Sequence, residues 1–247
     1  MGKKSTVLYV ATNSWLALPG GMEPIVGTHD DASVADWKGV GTMLRESAGQ
    51  SRVRVLLSAR LCRFGVFPWI SSVATGRAMR AHVEEAFAES HAISTQSHHF
   101  EIDWPSYGQP VLAVAYPRTL IEALRDGLVE TGHVPSVVDS SMGPVLRRYG
   151  ARLGPEPALL AYAEDDGMTA VTVEDDRVAQ VEMLADSGHG LDELVVWAAR
   201  KRLLHDDGGL HWLATADKPR EFPGGIMALE ETGEAMSAGH ALSMTWR

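Results

Sequence analysis

Apolar and polar positions along the chain come in short alternating bursts separated by turn-forming residues. Val7 to Ala11 is an apolar run, Trp15 to Leu18 follows a turn at Thr12-Asn13-Ser14, and Pro24 to Gly27 follows Leu18-Pro19-Gly20-Gly21. Pro-Gly and Gly-Gly are strong turn punctuation, so three short strands are predicted. From Val34 to Glu46 the period becomes helical, with Val34, Trp37, Val40, Gly41 and Leu44 on one stripe. Ser33 suits the N-cap of that helix and Gly49 its stop. The next stretch, "RVRVLLSA" from Arg52, alternates and then turns fully apolar, as a strand entering a core does.

After Gly154 the same order returns. "PALLAYA", "MTAVTVE" and "RVAQVEML" read as three strands joined by Glu164-Asp165-Asp166-Gly167 and Glu174-Asp175-Asp176. A helix from His189 to Leu204 follows, with Leu191, Leu194, Val195, Ala198 and Leu203 on its apolar side, and then a strand, "LHWLATA". Both ends of the chain therefore read strand-strand-strand-helix-strand. The middle is mixed: "CRFGVFPW", "HHFEIDW", "PVLAVAY" and "HVPSVVD" read as strands. Helices are predicted from Gly76 to Glu89, Arg118 to Thr131 and Met142 to Tyr149. The tail after Lys218, with Pro219, Pro223, Gly224 and Gly225, is weakly patterned and expected to pack loosely.

Composition narrows the function classes. With 22 Lys and Arg against 32 Asp and Glu, the formal charge is -10, the opposite of a nucleic-acid-binding balance. The single cysteine, Cys62, excludes an intrachain disulfide and a multi-cysteine zinc site, and points to a reducing compartment. The amino-terminal apolar run is too short for a signal peptide. Arg60 and Arg63 interrupt the longest apolar region, so no transmembrane helix is predicted and a cytoplasmic location is expected.

The duplicated order resembles the actin-like fold of sugar kinases, Hsp70 and actin. Three segments carry the resemblance further: Arg52 to Ser90, Gln109 to Arg148, where a strand leads to a Leu-rich helix and then a short strand ending in Asp139, and Pro157 to Leu184. They resemble the cytoplasmic actin-like proteins of type IV pilus assembly (the PilM family) and the cytoplasmic region of the type II secretion GspL family. The resemblance runs from about Thr6 to Leu213 and lies in element order more than in residues. It implies an α/β, actin-like (ribonuclease H-like) fold with two β-β-β-α-β halves and an inserted α/β subdomain. On that basis 1–60 is expected to be a first lobe, 61–155 the inserted subdomain with the return to the first lobe, 156–217 a second lobe and 218–247 the tail.

An active protein of this fold places an acid-x-Gly turn at the first hairpin of each lobe. Glycine lets backbone N–H groups approach phosphate, and the acids hold magnesium. The first turn here is Ala11-Thr12-Asn13-Ser14, with neither acid nor glycine, and bulky Trp15 follows it. The second lobe offers Asp165, Asp166 and Gly167, with Thr169 beyond, as candidate nucleotide and magnesium ligands. Asp-Gly is equally a strong plain hairpin signal. With one half-motif of two, the turn reading is preferred, ATP hydrolysis is not expected, and no bound cofactor is expected. ATP with magnesium at these residues is the alternative, in a nucleotide-dependent kinase or transferase with Asp139 as base.

Other constellations are weaker. His98 and His99 are adjacent on a predicted strand and face opposite ways. His29-Asp30-Asp31 and His205-Asp206-Asp207 fall where turns belong and read as solvated loops, so no metal site is assigned. Ser140 and Ser141 stand at a strand-to-helix turn, where a hydrolase nucleophile would sit, but N-capping is the simpler role. Arg60 and Arg63 flank Cys62 and would activate it if it were exposed; a buried strand cysteine is the commoner case. Among seven tryptophans, Trp37, Trp197 and Trp212 fit core positions, while Trp15, Trp69 and Trp104 lie beside turns or proline. The basic and apolar pair of strands from Arg54 through Phe64 and Phe67 to Trp69 is the leading candidate surface for a partner peptide or an added strand. The resulting expectation is a catalytically silent actin-like scaffold. By resemblance its partners would be the cytoplasmic segment of an inner-membrane assembly protein and an assembly ATPase.

Overall fold

A computed structural model describes residues 5–20, 22–72, 75–150, 153, 157–184, 190–200, 210–213 and 226–228. The opening bursts fold as a meander: β1 (Ser5–Val10), β2 (Ser14–Pro19) and β3 (Ile25–Thr28) are antiparallel neighbours. Helix α1 (Val34–Ala48) follows, capped as expected: the Ser33 hydroxyl accepts from the Asp36 amide, the Asp36 carboxylate answers the Ser33 amide, and Gly49 ends the helix at φ 73°. Then β4 (Arg52–Leu57) pairs in parallel with β1.

The inserted segment comprises β5 (Arg63–Phe67), α2 (Gly76–His91), β6 (His98–Asp103), β7 (Val111–Pro117) and α3 (Arg118–Glu130). Its strands form an antiparallel three-stranded sheet in the order β5-β7-β6. The chain returns as β8 (Val134–Ser140), parallel to β4, and enters α4 (Met142–Tyr149). The second half repeats the first: β9 (Ala158–Glu164), β10 (Gly167–Glu174) and β11 (Arg177–Leu184), then α5 (Gly190–Arg200), β12 (Leu210–Leu213) and β13 (Ile226–Ala228). The two five-stranded sheets are ordered β3-β2-β1-β4-β8 and β11-β10-β9-β12-β13, the same topology twice. Strand β13 lies in the stretch expected to pack loosely, yet it pairs in parallel with β12; the rest of that stretch is outside the described residues.

One apolar core spans both sheets. Leu8, Val10, Val55 and Leu57 of the first meet Leu160, Tyr162 and Val171 of the second, with Met142, Val145 and Tyr149 of α4 in the same cluster. The other face of the second sheet is covered by Leu194 and Ala198 of α5, against Leu159, Ala161, Met168 and Ala170. The inserted sheet has its own core, in which Met79, Val83 and Phe87 of α2 pack on Ile102, Val111, Ala113 and Ala115.

Two expectations about aromatic and histidine positions need correction. Trp15 is buried, because Gly27 on the neighbouring strand leaves room for its indole: a Cβ there would stand 2.6 Å from the ring. His29 is buried as well, with its ring 5.0 Å from that of Trp37, so it is no solvated loop residue. Trp37 sits in the core as predicted, Trp197 packs half-buried beside the α5 cluster with its indole N–H on Glu182, and Trp104 is exposed. Trp212 has its backbone in β12; its side chain and the tripeptide from His205 are outside the described residues.

Helices α1 and α3 cross at small residues. A Cβ on Gly127 would stand 2.7 Å from the Trp37 Cβ and 2.8 Å from the Lys38 N and the Val34 O, and one on Gly41 would collide with the Thr131 hydroxyl. Close approach then lets Thr131 and His133 complete the joint; His133 donates from Nε2 to the Gly41 O at 2.9 Å and accepts the Ser51 amide at Nδ1. Overfilling a packed crossing costs about 1–3 kcal/mol. Gly127→Val is therefore expected to lower the urea unfolding free energy by roughly 2 kcal/mol or more. Gly39→Ala, on α1 with open space around it, should leave stability unchanged or raise it by up to about 1 kcal/mol.

Candidate functional site between the two sheets

The two hairpins that open the sheets face each other across the cleft. On the first side, the β1–β2 turn is closed by the Ala11 amide donating to the Ser14 carbonyl at 2.8 Å. His29 braces it, donating from Nε2 to the Ala11 carbonyl at 2.9 Å and from its amide to the Asn13 carbonyl at 3.1 Å. Beside it, the end of β4 leads into a short 3₁₀ turn, Ala59–Leu61, capped by Ser58, whose hydroxyl accepts the Arg60 amide at 3.3 Å. On the second side, β9 and β10 pair up to Glu164 and Gly167, leaving Asp165 and Asp166 as a two-residue loop.

The acidic stretch is thus a hairpin turn, and its carboxylates reach across the cleft. Asp166 Oδ2 accepts from the Thr12 amide at 2.9 Å and the Thr12 hydroxyl at 2.6 Å, and Oδ1 accepts from the Ser58 hydroxyl at 2.6 Å. Glu164, buried, accepts from the Ala59 amide at 3.0 Å and from the Thr169 hydroxyl at 2.6 Å. Arg60 lies over the loop and donates from Nη1 to the Asp166 carbonyl at 3.0 Å. Gly167 makes room for this, since a Cβ there would stand 3.0 Å from Arg60 Nη1 and 2.8 Å from the Leu184 carbonyl.

Of the four candidate cofactor residues, Asp166 is engaged by the first lobe and Thr169 is buried with its hydroxyl on Glu164. Gly167 serves the close approach of Arg60, and Asp165 is exposed at the tip of the loop. The second acidic pair is a plain turn: Asp175 and Asp176 take φ 51° and 59° between the paired Glu174 and Arg177, a type I′ hairpin. Asp139 accepts Arg147 Nη2 at 2.8 Å and its carboxylate lies against Gly143 in the first turn of α4.

The serine reading meets a correction, and the cysteine is buried, as the commoner case has it. Ser141 is the N-cap residue of α4 but makes no side-chain cap bond; its hydroxyl lies 3.2 Å from the Tyr162 hydroxyl and also reaches Glu164. Burial pushes the Cys62 thiol up, and the nearby Glu164 and Asp139 push it further, outweighing Arg63; it is no activated thiolate. Among the described residues, no cluster of three or more His, Cys, Asp or Glu side chains is placed to hold a metal ion.

The expected partner surface is divided. Arg54 is exposed on β4, but β4 runs between β1 and β8, so both its edges are paired and neither can take an added strand. Strand β5 belongs to the inserted sheet, where Phe64 is buried in the main core and Phe67 packs edge-on against Phe87 at 5.0 Å. Trp69 is half-buried beside Tyr107, 5.3 Å between ring centres. Sequence reasoning missed Thr12 and Ser58. The available signal was the hydroxyl at Thr12, in the turn where an acid was sought, opposite an acid in the matching turn.

Burial raises Glu164 from its ordinary 4.5 to about 7, against the lowering effect of hydrogen bonds from Thr169, Ser141 and the Ala59 amide. A carboxyl raised in the folded state binds a proton that the unfolded chain has already lost. Its stabilisation is therefore full below about pH 4.5 and is lost as pH rises to about 7. Glu164→Gln removes this titration. The variant should gain stability relative to the parent between those pH values, reaching at most about 3 kcal/mol at pH 8, as read from urea unfolding at a series of pH values.

No family model matches the sequence, and no curated protein matches it either. Solved structures do. The cytoplasmic domain of EpsL, an inner-membrane component of the type II secretion system of Vibrio cholerae, superposes with a TM-score of 0.65 at 16% identity, over 98% of this chain and 95% of that one. A chain of the PilM-PilN type IV pilus biogenesis complex gives 0.60 at 14% identity, over 85% and 81%. A Bacteroides thetaiotaomicron protein of actin-like ATPase fold and unknown function gives 0.56 at 10% identity, over 88% and 84%. An ATPase of this fold would hold a magnesium-bound triphosphate between the two hairpin turns. The residues present do not fit one as placed: the first turn's amide and both hydroxyls are donated to Asp166, and Glu164, Asp165 and Asp166 would oppose phosphate charge with Arg60 beside them. Twice-repeated sheet order, an inserted subdomain and these superpositions together establish that the chain has the actin-like fold.

Proposed function

We propose that this chain is a catalytically silent, cytoplasmic actin-like scaffold for protein docking in an inner-membrane secretion or pilus assembly. The observation that carries the reading is the hydrogen-bonded contact of Asp166 with Thr12 and Ser58, which consumes the donors that a phosphate would need. The likeness to the EpsL cytoplasmic domain and to the PilM-PilN complex supports the setting. Among the described residues, no helix is long and apolar enough to cross a membrane; in this reading the chain sits at the inner membrane through its partners.

A groove of about 570 Å³ suits such docking. Its apolar lining is Pro110 and Leu112 of the inserted sheet, Leu146 of α4, and Val173 and Val178 of the β10–β11 hairpin; Asp103, Asp176 and Arg177 supply polar groups. An extended cytoplasmic segment of a membrane partner would seat alternate apolar side chains there, with a basic residue towards Asp103 and Asp176. An assembly ATPase would be a second partner on another face.

Two measurements test the reading. ATP with magnesium at millimolar concentration is expected to leave the melting temperature and tryptophan fluorescence unchanged, since a ligand of the native state would raise the former. Peptides from cytoplasmic tails of inner-membrane assembly proteins of the same organism are expected to bind, and Leu146→Glu or Val178→Glu to weaken them by about tenfold or more. Magnesium-dependent ATP turnover lost in Asp166→Ala would overturn the silent scaffold.

A further inference from the structure

Five donors on the first side of the cleft point at the hairpin of the second sheet. The Thr12 amide and hydroxyl, the Ser58 hydroxyl, the Ala59 amide and the Arg60 guanidinium donate, and the hairpin of the second sheet accepts. Ser58 is fully buried, and its oxygen already accepts the Arg60 amide, so its proton is directed to Asp166. Asp166 Oδ2 holds both Thr12 donors while Oδ1 holds Ser58, from positions 154 and 108 residues away in sequence. A turn amide and two hydroxyls pointed at one carboxylate make an anion site; the Arg60 guanidinium lies beside it on the Asp166 carbonyl. The two hydroxyl bonds have the short length of charge-assisted pairs.

We infer that Thr12 and Ser58 form an anion cradle whose resident is the chain's own Asp166 carboxylate, and that this contact latches the two sheets closed without a nucleotide. The inference rests on the same closed cleft as the proposed function but needs no docking partner. A carboxylate supplied in trans fits the vacated cradle, because the donors belong to the first lobe and stay in place when the side chain of Asp166 is removed.

The test is Asp166→Ala with formate as the probe, against chloride at matched ionic strength. Amide hydrogen exchange at Thr12 is expected to speed up by roughly tenfold or more, the loss of one hydrogen bond to a charged acceptor. The melting temperature is expected to fall. Formate should reverse both changes and chloride should not, and adding Thr12→Val and Ser58→Ala should abolish the formate response. Asp166→Asn, which keeps the shape, should show a smaller loss and no response to formate; it serves if the alanine variant does not fold. Unchanged exchange at Thr12 in either variant, or equal rescue by chloride, would overturn the cradle. Failure of the cradle and failure of the scaffold are separable: peptide binding by Asp166→Ala leaves the scaffold standing, and absence of peptide binding by the parent protein overturns the scaffold while leaving the cradle.

Discussion

Because the two sheets share one apolar core through α4, the hairpins at their mouths cannot drift apart without exposing it. Leu160, Tyr162 and Val171 pack in the same cluster as Leu8, Val10 and Leu57, so the second sheet is anchored close beneath the first turn. Polar groups above that core then have to be satisfied by one another or by solvent, because a buried donor left alone costs about 1–3 kcal/mol. Ser58 and Glu164 are both buried there, and both find their partners across the cleft. The interlobe contact is in this sense a consequence of the shared core, and the loss of acid and glycine from the first turn is what allows it.

Much of this was legible locally. The stripe of Trp37, Val40, Gly41 and Leu44, capped by Ser33 and stopped by Gly49, needed no tertiary information, because helix period and caps are local physics. Repeated strand order was legible for the same reason, and it led to the fold. Strand β13 was not: Ile226–Ala228 is three residues long, below any periodicity that a pattern can show, and it exists by pairing with β12. Trp15 looked like a turn-side tryptophan because the room for its indole is supplied by Gly27 on another strand.

The site was half legible. Asp165-Asp166-Gly167 was visible as a turn, and Thr12-Asn13-Ser14 as a turn lacking acid and glycine. That they bond to each other was not visible, since Thr12 and Asp166 lie 154 residues apart and neither carries a local mark of the other. The expected docking surface is divided for a related reason. Arg54 through Trp69 is continuous in sequence but is shared between a central strand of one sheet and an edge strand of another. Amphipathic character read along the chain says which residues are buried, and pairing order decides which edges are open.

The same geometry links the cleft to the groove. Strand β10 begins at Gly167, beside the Asp166 contact, and ends at Glu174, where the turn to β11 supplies Val173, Asp176, Arg177 and Val178 to the groove wall. The opposite wall comes from α4 and the inserted sheet, both reached from the first lobe. A strand paired on both sides, as β10 is with β9 and β11, transmits position along its length more stiffly than a loop would. In an actin-like protein that uses nucleotide, occupancy of the cleft would set the spacing of such walls. In the proposed reading, a carboxylate fixed in the chain holds that spacing continuously, as a docking surface with no reaction cycle would require.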